Sequence, residues 1–296
     1  MSAAAMEPAG ARQQRRRFRL IKAVLSKPSG LFGFAVVALI TLAAVLAPWL
    51  APCGPDTQFA GLRLAAATAG HPLGTDELSR DLLSRVLFGA RISLLVGFAS
   101  VAAGAGLGII VGLISGMGSR IVDTLLMRAC DILLAYPGIL LGVITVAILG
   151  PGLIQICIAV AFVNLPLFAR LMRASVLRER ELDYVNAAVV QGSGLWRIML
   201  RHVMPNSIGG VITQLASAAG HGVLLEASLS FIGLGIRPPA ASWGTMLSSS
   251  RDYLTVAPLY AVVPGLLLML LVLGLNLLGD AMHKALDPAG TTHAWS

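Results

Sequence analysis

Residues 31–50 read LFGFAVVALITLAAVLAPWL, twenty positions without one charged side chain. A helix needs about 20 mostly apolar residues to cross a bilayer core, so this stretch reads as a transmembrane helix. Immediately before it stand Arg12, Arg15, Arg16, Arg17, Arg19, Lys22 and Lys27. A segment this basic stays on the cytoplasmic side. Residues 1–30 are therefore a cytoplasmic basic N-terminal segment and 31–50 the first transmembrane helix. A cleavable signal peptide shows the same order of charge and hydrophobicity, with Val45-Leu46-Ala47 imitating a cleavage site. Its apolar core is only about 7–15 residues long, and the longer run here favours an uncleaved helix.

The rest of the chain extends this reading. Of 296 residues, 56% are hydrophobic and 12% charged, with a mean hydropathy of +0.82; soluble domains carry about 25% charged residues. Further apolar runs cover 92–117, 121–149, 153–169, 206–231 and 258–279. The predicted fold class is an all-α polytopic membrane protein with six transmembrane helices. Residues 51–91 form an extracytoplasmic loop, 92–288 a five-helix core carrying an inner loop at 170–205, and 289–296 a tail. A further outer connection spans 232–257, and no connection is long enough to fold as a domain of its own. With six spans both termini lie inside. That topology puts 16 of the 22 Lys and Arg at the inner face and six outside: Arg63, Arg80, Arg85, Arg91, Arg237 and Arg251. The bias fits N-in, C-in. The net charge of +8 is thus a topology signal toward the lipid bilayer, and no nucleic-acid partner is predicted.

Several features inside this frame could carry function. Gly104, Gly108, Gly112 and Gly116 strip one helix face of side chains, which reads as close helix packing, with a sliding surface as the alternative. Arg128 and Asp131 share a helix face three residues apart; they read as an ion pair near the inner interface, or else as part of a substrate path. Tyr136 precedes Pro137 and Gly138, a predicted hinge. Glu226 is a costly intramembrane carboxylate that either meets peptide amines or bonds to neighbouring helices. In the inner loop, a short helix over 182–190 breaks at Gly192-Ser193-Gly194, and a second amphipathic segment runs to Pro205. Two short helices joined by a glycine turn make an elbow suited to receive a push from a soluble protein; the alternative is a helix lying on lipid. Ala187 and Ala188 are small enough for a partner to approach, and Gly192 permits the reversal. Outside, Trp243 lies among Pro, Gly and Ser with Arg237 and Ser249 nearby, a candidate docking surface for a partner or a plug sealing the bundle.

The motifs that are missing narrow the chemistry. No lysine ends a phosphate-binding glycine loop, and neither H-E-x-x-H nor G-x-S-x-G occurs. Cys53, Cys130 and Cys157 stand far apart, without zinc or disulfide spacing. No catalytic residue, metal ligand set or cofactor bound by this chain is predicted.

The elbow resembles the inner loop of permease subunits of ATP-binding-cassette importers, in the dipeptide, oligopeptide and nickel class. That loop reads E-A-A, three residues and Gly, with a later Leu-Pro; here Asn186, Ala187, Ala188 and Gly192 align, then Val203-Met204-Pro205. Asn186 stands in place of Glu and Met204 in place of Leu. Three further stretches are similar to the second permease of the peptide-importer pair: His71 through Asp81, Glu226 through Gly244, and Pro264 through Pro288. The resemblance implies a homologous second permease, two cytoplasmic ATPase subunits and an extracytoplasmic substrate-binding protein, in the bacterial inner membrane. It also implies that ATP and Mg are bound by the ATPase subunits, which couple to this chain through the loop at 182–205. Peptides are the implied cargo, with nickel or a modified peptide as the alternative and a stand-alone secondary transporter as a more distant one.

Overall fold

The computed structural model describes residues 24–286; most of the basic N-terminal segment and the 289–296 tail lie outside them. The charge-free stretch forms α1, Pro28–Val45, followed by the short α2, Ala47–Leu50. Pro28 and Pro48 each occupy a first turn, where a missing N–H is tolerated.

α3 runs from Leu82 to Met117, 36 residues or about 54 Å at 1.5 Å per residue. It starts ten residues before the apolar run, because the Asp81 carboxylate accepts the Ser84 N–H at 2.7 Å and caps a turn that hydropathy does not mark. α6, Leu153–Glu179, likewise continues ten residues past its apolar run. Its last turns carry Arg170, Arg173 and Arg178, so part of the expected inner loop is a rigid helical extension.

The expected third span is two helices. α4, Arg120–Leu134, and α5, Gly138–Leu149, meet at 95°. Pro137 has no N–H to continue the ladder and disfavours helix at the residue before it, so the hinge read at Tyr136 is a sharp corner. α5 alone, at twelve residues, measures about 18 Å against a core of about 30 Å. α4 is amphipathic, with Ile121, Leu125 and Ile132 exposed and Cys130 buried.

Beyond α6 come α7 (Asp183–Val190), α8 (Leu195–Ile198), a π turn at Met199–Val203 and α9 (Met204–Ser207). α10, Gly209–Phe231, leaves the α8–α9 segment at 55°, at a place where Pro205 and the Gly209-Gly210 pair weaken the helix. α11 (Trp243–Ser250) and α12 (Leu259–Leu286) complete the chain. Four helices, α1, α3, α6 and α12, are long and apolar enough to cross a membrane, and six spans result when each bent pair counts as one. Among the described residues, strand pairing is limited to two isolated bridges, Gln58 with Arg80 and Thr75 with Asp81.

Packing centres on α3 against α6. A Cβ at Gly108 would lie 2.6 Å from the Phe168 Cβ and 2.8 Å from the Leu165 carbonyl oxygen, and one at Gly104 2.7 Å from the Ala161 oxygen. Gly112 and Gly116 meet Ala169, Met172 and Val176 in the same way. Lipid is as apolar as the helix surfaces, so contact closeness replaces the hydrophobic effect as the source of cohesion. The glycine face is a tight, interlocked seam.

Candidate functional site

The α7–α9 elbow is built from both sides of a glycine turn. Gly192 has φ +77°, Ser193 N–H donates to the Ala188 carbonyl at 3.1 Å and Gly192 N–H to Val189 at 2.9 Å. These bonds form a Schellman C-cap, which requires the left-handed conformation that glycine adopts without strain. The inward face, Val185, Ala188, Ile198, Met199 and Val203, is buried in one cluster with Leu113 of α3, Phe168, Met172 and Val176 of α6, and Val211 of α10. The elbow is therefore seated in the bundle. Its tip is open: Val190 is 88% and Trp196 67% exposed, and Val189, Leu195 and Leu200 are exposed beside them. Asn186, Ala187 and Pro205 also face outward. Ala188 faces the core, so the approach expected along both alanines is left to Ala187.

Two residues hold the base of the elbow: Tyr184, which no sequence motif marks, and Asn206, which ends the Val203-Met204-Pro205-Asn206 match but has no role that the motif indicates. The Tyr184 hydroxyl donates to Glu179 Oε1 at 2.5 Å, accepts from Asn206 Nδ2 at 3.1 Å and lies 3.4 Å from the His202 carbonyl oxygen. Asn206 Nδ2 also donates to that carbonyl at 2.8 Å. Partial burial and the Glu179 carboxylate push the Tyr184 phenol above its ordinary pKa.

The charges near the elbow pair across helices. Asp131 is bonded to Arg170 of α6 at 2.6 Å, while Arg128 stands 3.8 Å away and 78% exposed. The expected intrahelical pair is thus the weaker contact, since an exposed guanidinium gains little from a neighbour in water. One turn further along α6, Arg173 makes two bonds of 2.5 Å to Asp123, which also accepts the Ser115 hydroxyl of α3. Arg180 Nη1 donates to the Gly116 carbonyl at 2.7 Å. Tyr136, at the α4–α5 corner, is exposed.

At the opposite end of α3 lies a buried polar seal. Glu226 is fully buried; Ser230 Oγ donates to one carboxylate oxygen at 2.8 Å and Ser93 Oγ to the other at 3.4 Å. Of the two roles left open for Glu226, this geometry is the helix-bonding one. Trp243 is 1% exposed, and its indole N–H donates to the Val86 carbonyl at 3.0 Å. Of the two readings left open for this segment, docking surface or plug, Trp243 itself does not offer the first, being an inward anchor: a ring that size is most stable buried once its N–H has an acceptor. Ser242 and Thr245 close a capping box over it at the start of α11. Arg237 and Ser249 remain exposed, and Ser249 lines a cavity of about 220 Å³ with Glu77, Arg80 and Arg85. Beneath that cavity the buried Asp76 accepts from Arg80 Nε at 2.7 Å and lies 3.3 Å from Arg85 Nε, while Asp81 holds His71 at 2.9 Å. The His71–Asp81 stretch is thus a charge knot folded onto the start of α3. Among the described residues, no group of three or more His, Cys, Asp or Glu is placed to hold a metal ion.

The chain matches known families over nearly its whole length. Residues 108–290 match the inner-membrane component of binding-protein-dependent transport systems, and residues 15–67 match the N-terminal transmembrane domain of oligopeptide transport permease C. Among similar proteins, the di/tripeptide transport system permease protein DppC of Pseudomonas aeruginosa is 45% identical over 262 residues, 86% of each chain. The glutathione transport system permease protein GsiD of Pectobacterium atrosepticum is 39% identical, covering 91% of this chain and 89% of its own. The dipeptide permease DppC of Haemophilus influenzae is also 39% identical, covering 87% and 90%. In fold, the chain is similar to the inward-facing MetNI methionine ABC transporter, with a TM-score of 0.55 at 18% identity over 68% of this chain and 96% of that one. Six apolar runs, a seated elbow with an open tip and a match covering most of the chain agree: this is a multi-pass membrane protein that belongs to the permease family of binding-protein-dependent, ATP-binding-cassette transport systems.

Proposed function

We propose that this chain is the second permease of an ATP-driven peptide importer in the bacterial inner membrane, forming the path for dipeptides and oligopeptides with a homologous permease. Two cytoplasmic ATPase subunits bind ATP and Mg and act on the elbow, and an extracytoplasmic binding protein delivers the cargo. The observation that carries this reading is the elbow: its tip, Val189, Val190, Leu195 and Trp196, is exposed while its inner face is continuous with the core of α3, α6 and α10. An exposed apolar patch marks an interaction site, and one seated in the bundle transmits displacement where a free loop would not. The names of the relatives support the peptide class of cargo. The basic bias supports N-in, C-in, which puts the elbow on the side of the ATPases. The exposed Arg237 and Ser249 are the candidates for contact with the binding protein.

The test is co-purification of the reconstituted complex. Buried aromatic anchors contribute about 2 kcal/mol or more to an interface, so Trp196→Ala combined with Val190→Asp is expected to lower the ATPase retained by at least tenfold while the permease pair stays intact. Unchanged retention would refute the assigned surface. Uptake of dipeptides, glutathione and nickel chelates by the wild-type complex in proteoliposomes assigns the cargo; uptake of the metal chelate alone contradicts the peptide reading.

A further inference from the structure

We infer that Tyr184 is the positioning residue that makes α7 move as one body with the end of α6 and with the π turn and α9 that lead toward α10, so that it governs coupling and not docking; the inference rests on the coupling role proposed for this loop. Apolar burial is non-directional, so the seated face of the elbow resists detachment but leaves α7 free to slide or roll on the bundle. Short tethers do not prevent this: only residues 180–182 link α6 to α7, and the Gly192 turn links α7 to α8. The Tyr184 hydroxyl supplies the missing direction. From the first turn of α7 it donates to Glu179 in the last turn of α6, accepts from Asn206 on α9 and lies against the His202 carbonyl in the π turn. One oxygen thus ties together the segments entering and leaving the elbow. The bond to a carboxylate is of the strong, charge-assisted kind, and Asn206 is itself held by the second bond to His202. The ring rests 6.5 Å from the His202 ring, centroid to centroid, and is 39% exposed, so removing the hydroxyl leaves its packing in place. Tyr184 stands at the far end of α7 from the exposed tip at Val189 and Val190.

The experiment uses the full complex with binding protein in proteoliposomes, comparing Tyr184→Phe, Glu179→Ala, Glu179→Gln and the Tyr184→Phe/Glu179→Ala double variant. Tyr184→Phe is expected to retain wild-type amounts of ATPase but to lose at least threefold in the stimulation of ATP hydrolysis by loaded binding protein and in transport per ATP. Glu179→Ala should match it, Glu179→Gln, which keeps an acceptor, should restore most of the coupling, and the double variant should be no worse than either single one. Spin labels at Val190→Cys and Ile110→Cys should give a broader distance distribution in Tyr184→Phe than in the parent. An unchanged coupling ratio in Tyr184→Phe overturns the inference, as does loss of the ATPase from that variant, which would make the hydroxyl a docking or folding group. The proposed function fails separately, by Trp196→Ala/Val190→Asp retaining the ATPase in full.

Discussion

Asp123 receives both arms of the Arg173 guanidinium and the Ser115 hydroxyl, so one carboxylate joins α3, α4 and α6 at the elbow end. Arg173→Ala leaves a partly shielded carboxylate without its donor, and hydrogen bonds to charged groups contribute about 1.5–3 kcal/mol. The detergent-solubilised chain should therefore lose several degrees of Tm, and the swap Asp123→Arg/Arg173→Asp should recover part of that loss. Arg128→Ala should shift Tm by less than a degree, because a pair at 3.8 Å with a largely exposed guanidinium contributes about 0–1 kcal/mol. Spacing along the sequence pointed to the opposite order. Arg128 and Asp131 are three apart and legible as a helix pair, whereas Asp123 and Arg173 are fifty residues apart and meet only after α4 folds back along α6. The bond between Tyr184 and Asn206 is illegible in the sequence for the same reason: a tyrosine in a short amphipathic helix has no local signature of a three-way hydrogen bond.

The helices show where hydropathy serves well and where it misleads. The glycine repeat in α3 was legible as a small-residue face, and its partner could not be named until α6 lay against it. Gly108→Val puts a side chain where Phe168 and the backbone of Leu165 and Ala169 already stand. Overpacking costs about 1–3 kcal/mol and more when backbone is the obstacle, so this variant should fail to give a stable permease in fluorescence-detected size exclusion. Gly106→Val, two residues away with open space around its Cβ position, should express and migrate like the parent. Equal behaviour of the two would remove α6 as the partner of this face. The α4–α5 corner was read from Pro137 as a bend inside one span, but a 95° angle exceeds what an apolar run and one proline specify. It also depends on Asp123 and Asp131 being held down onto α6, contacts that belong to the tertiary structure.

At the scale of the whole molecule, the N-in, C-in orientation proposed from the basic bias is open to direct test. In a background lacking Cys53, an impermeant maleimide applied to intact cells should label Ala66→Cys and Ser249→Cys. Val190→Cys, 88% exposed on the elbow, should react only after the membrane is opened. Labelling of Val190→Cys from outside would invert the topology and detach the elbow from the ATPases together.

Composition, the apolar runs and the basic flanks by themselves determined that this is a helical membrane protein, because bilayer thickness and backbone hydrogen bonding leave a chain this apolar few other options. The order of local motifs, from His71-Pro72-Leu73-Gly74 to the Ala187-Ala188 and Gly192 turn, determined the family. The tertiary structure alone decided which face of each short element is turned inward. It buried Ala188 while exposing Ala187, drew Trp243 and Glu226 into a sealed layer, and gave Asp131 to Arg170. Residue type sets the cost of burying a side chain, but the partners that offset that cost come from helices far away in the chain, and no local spacing records them.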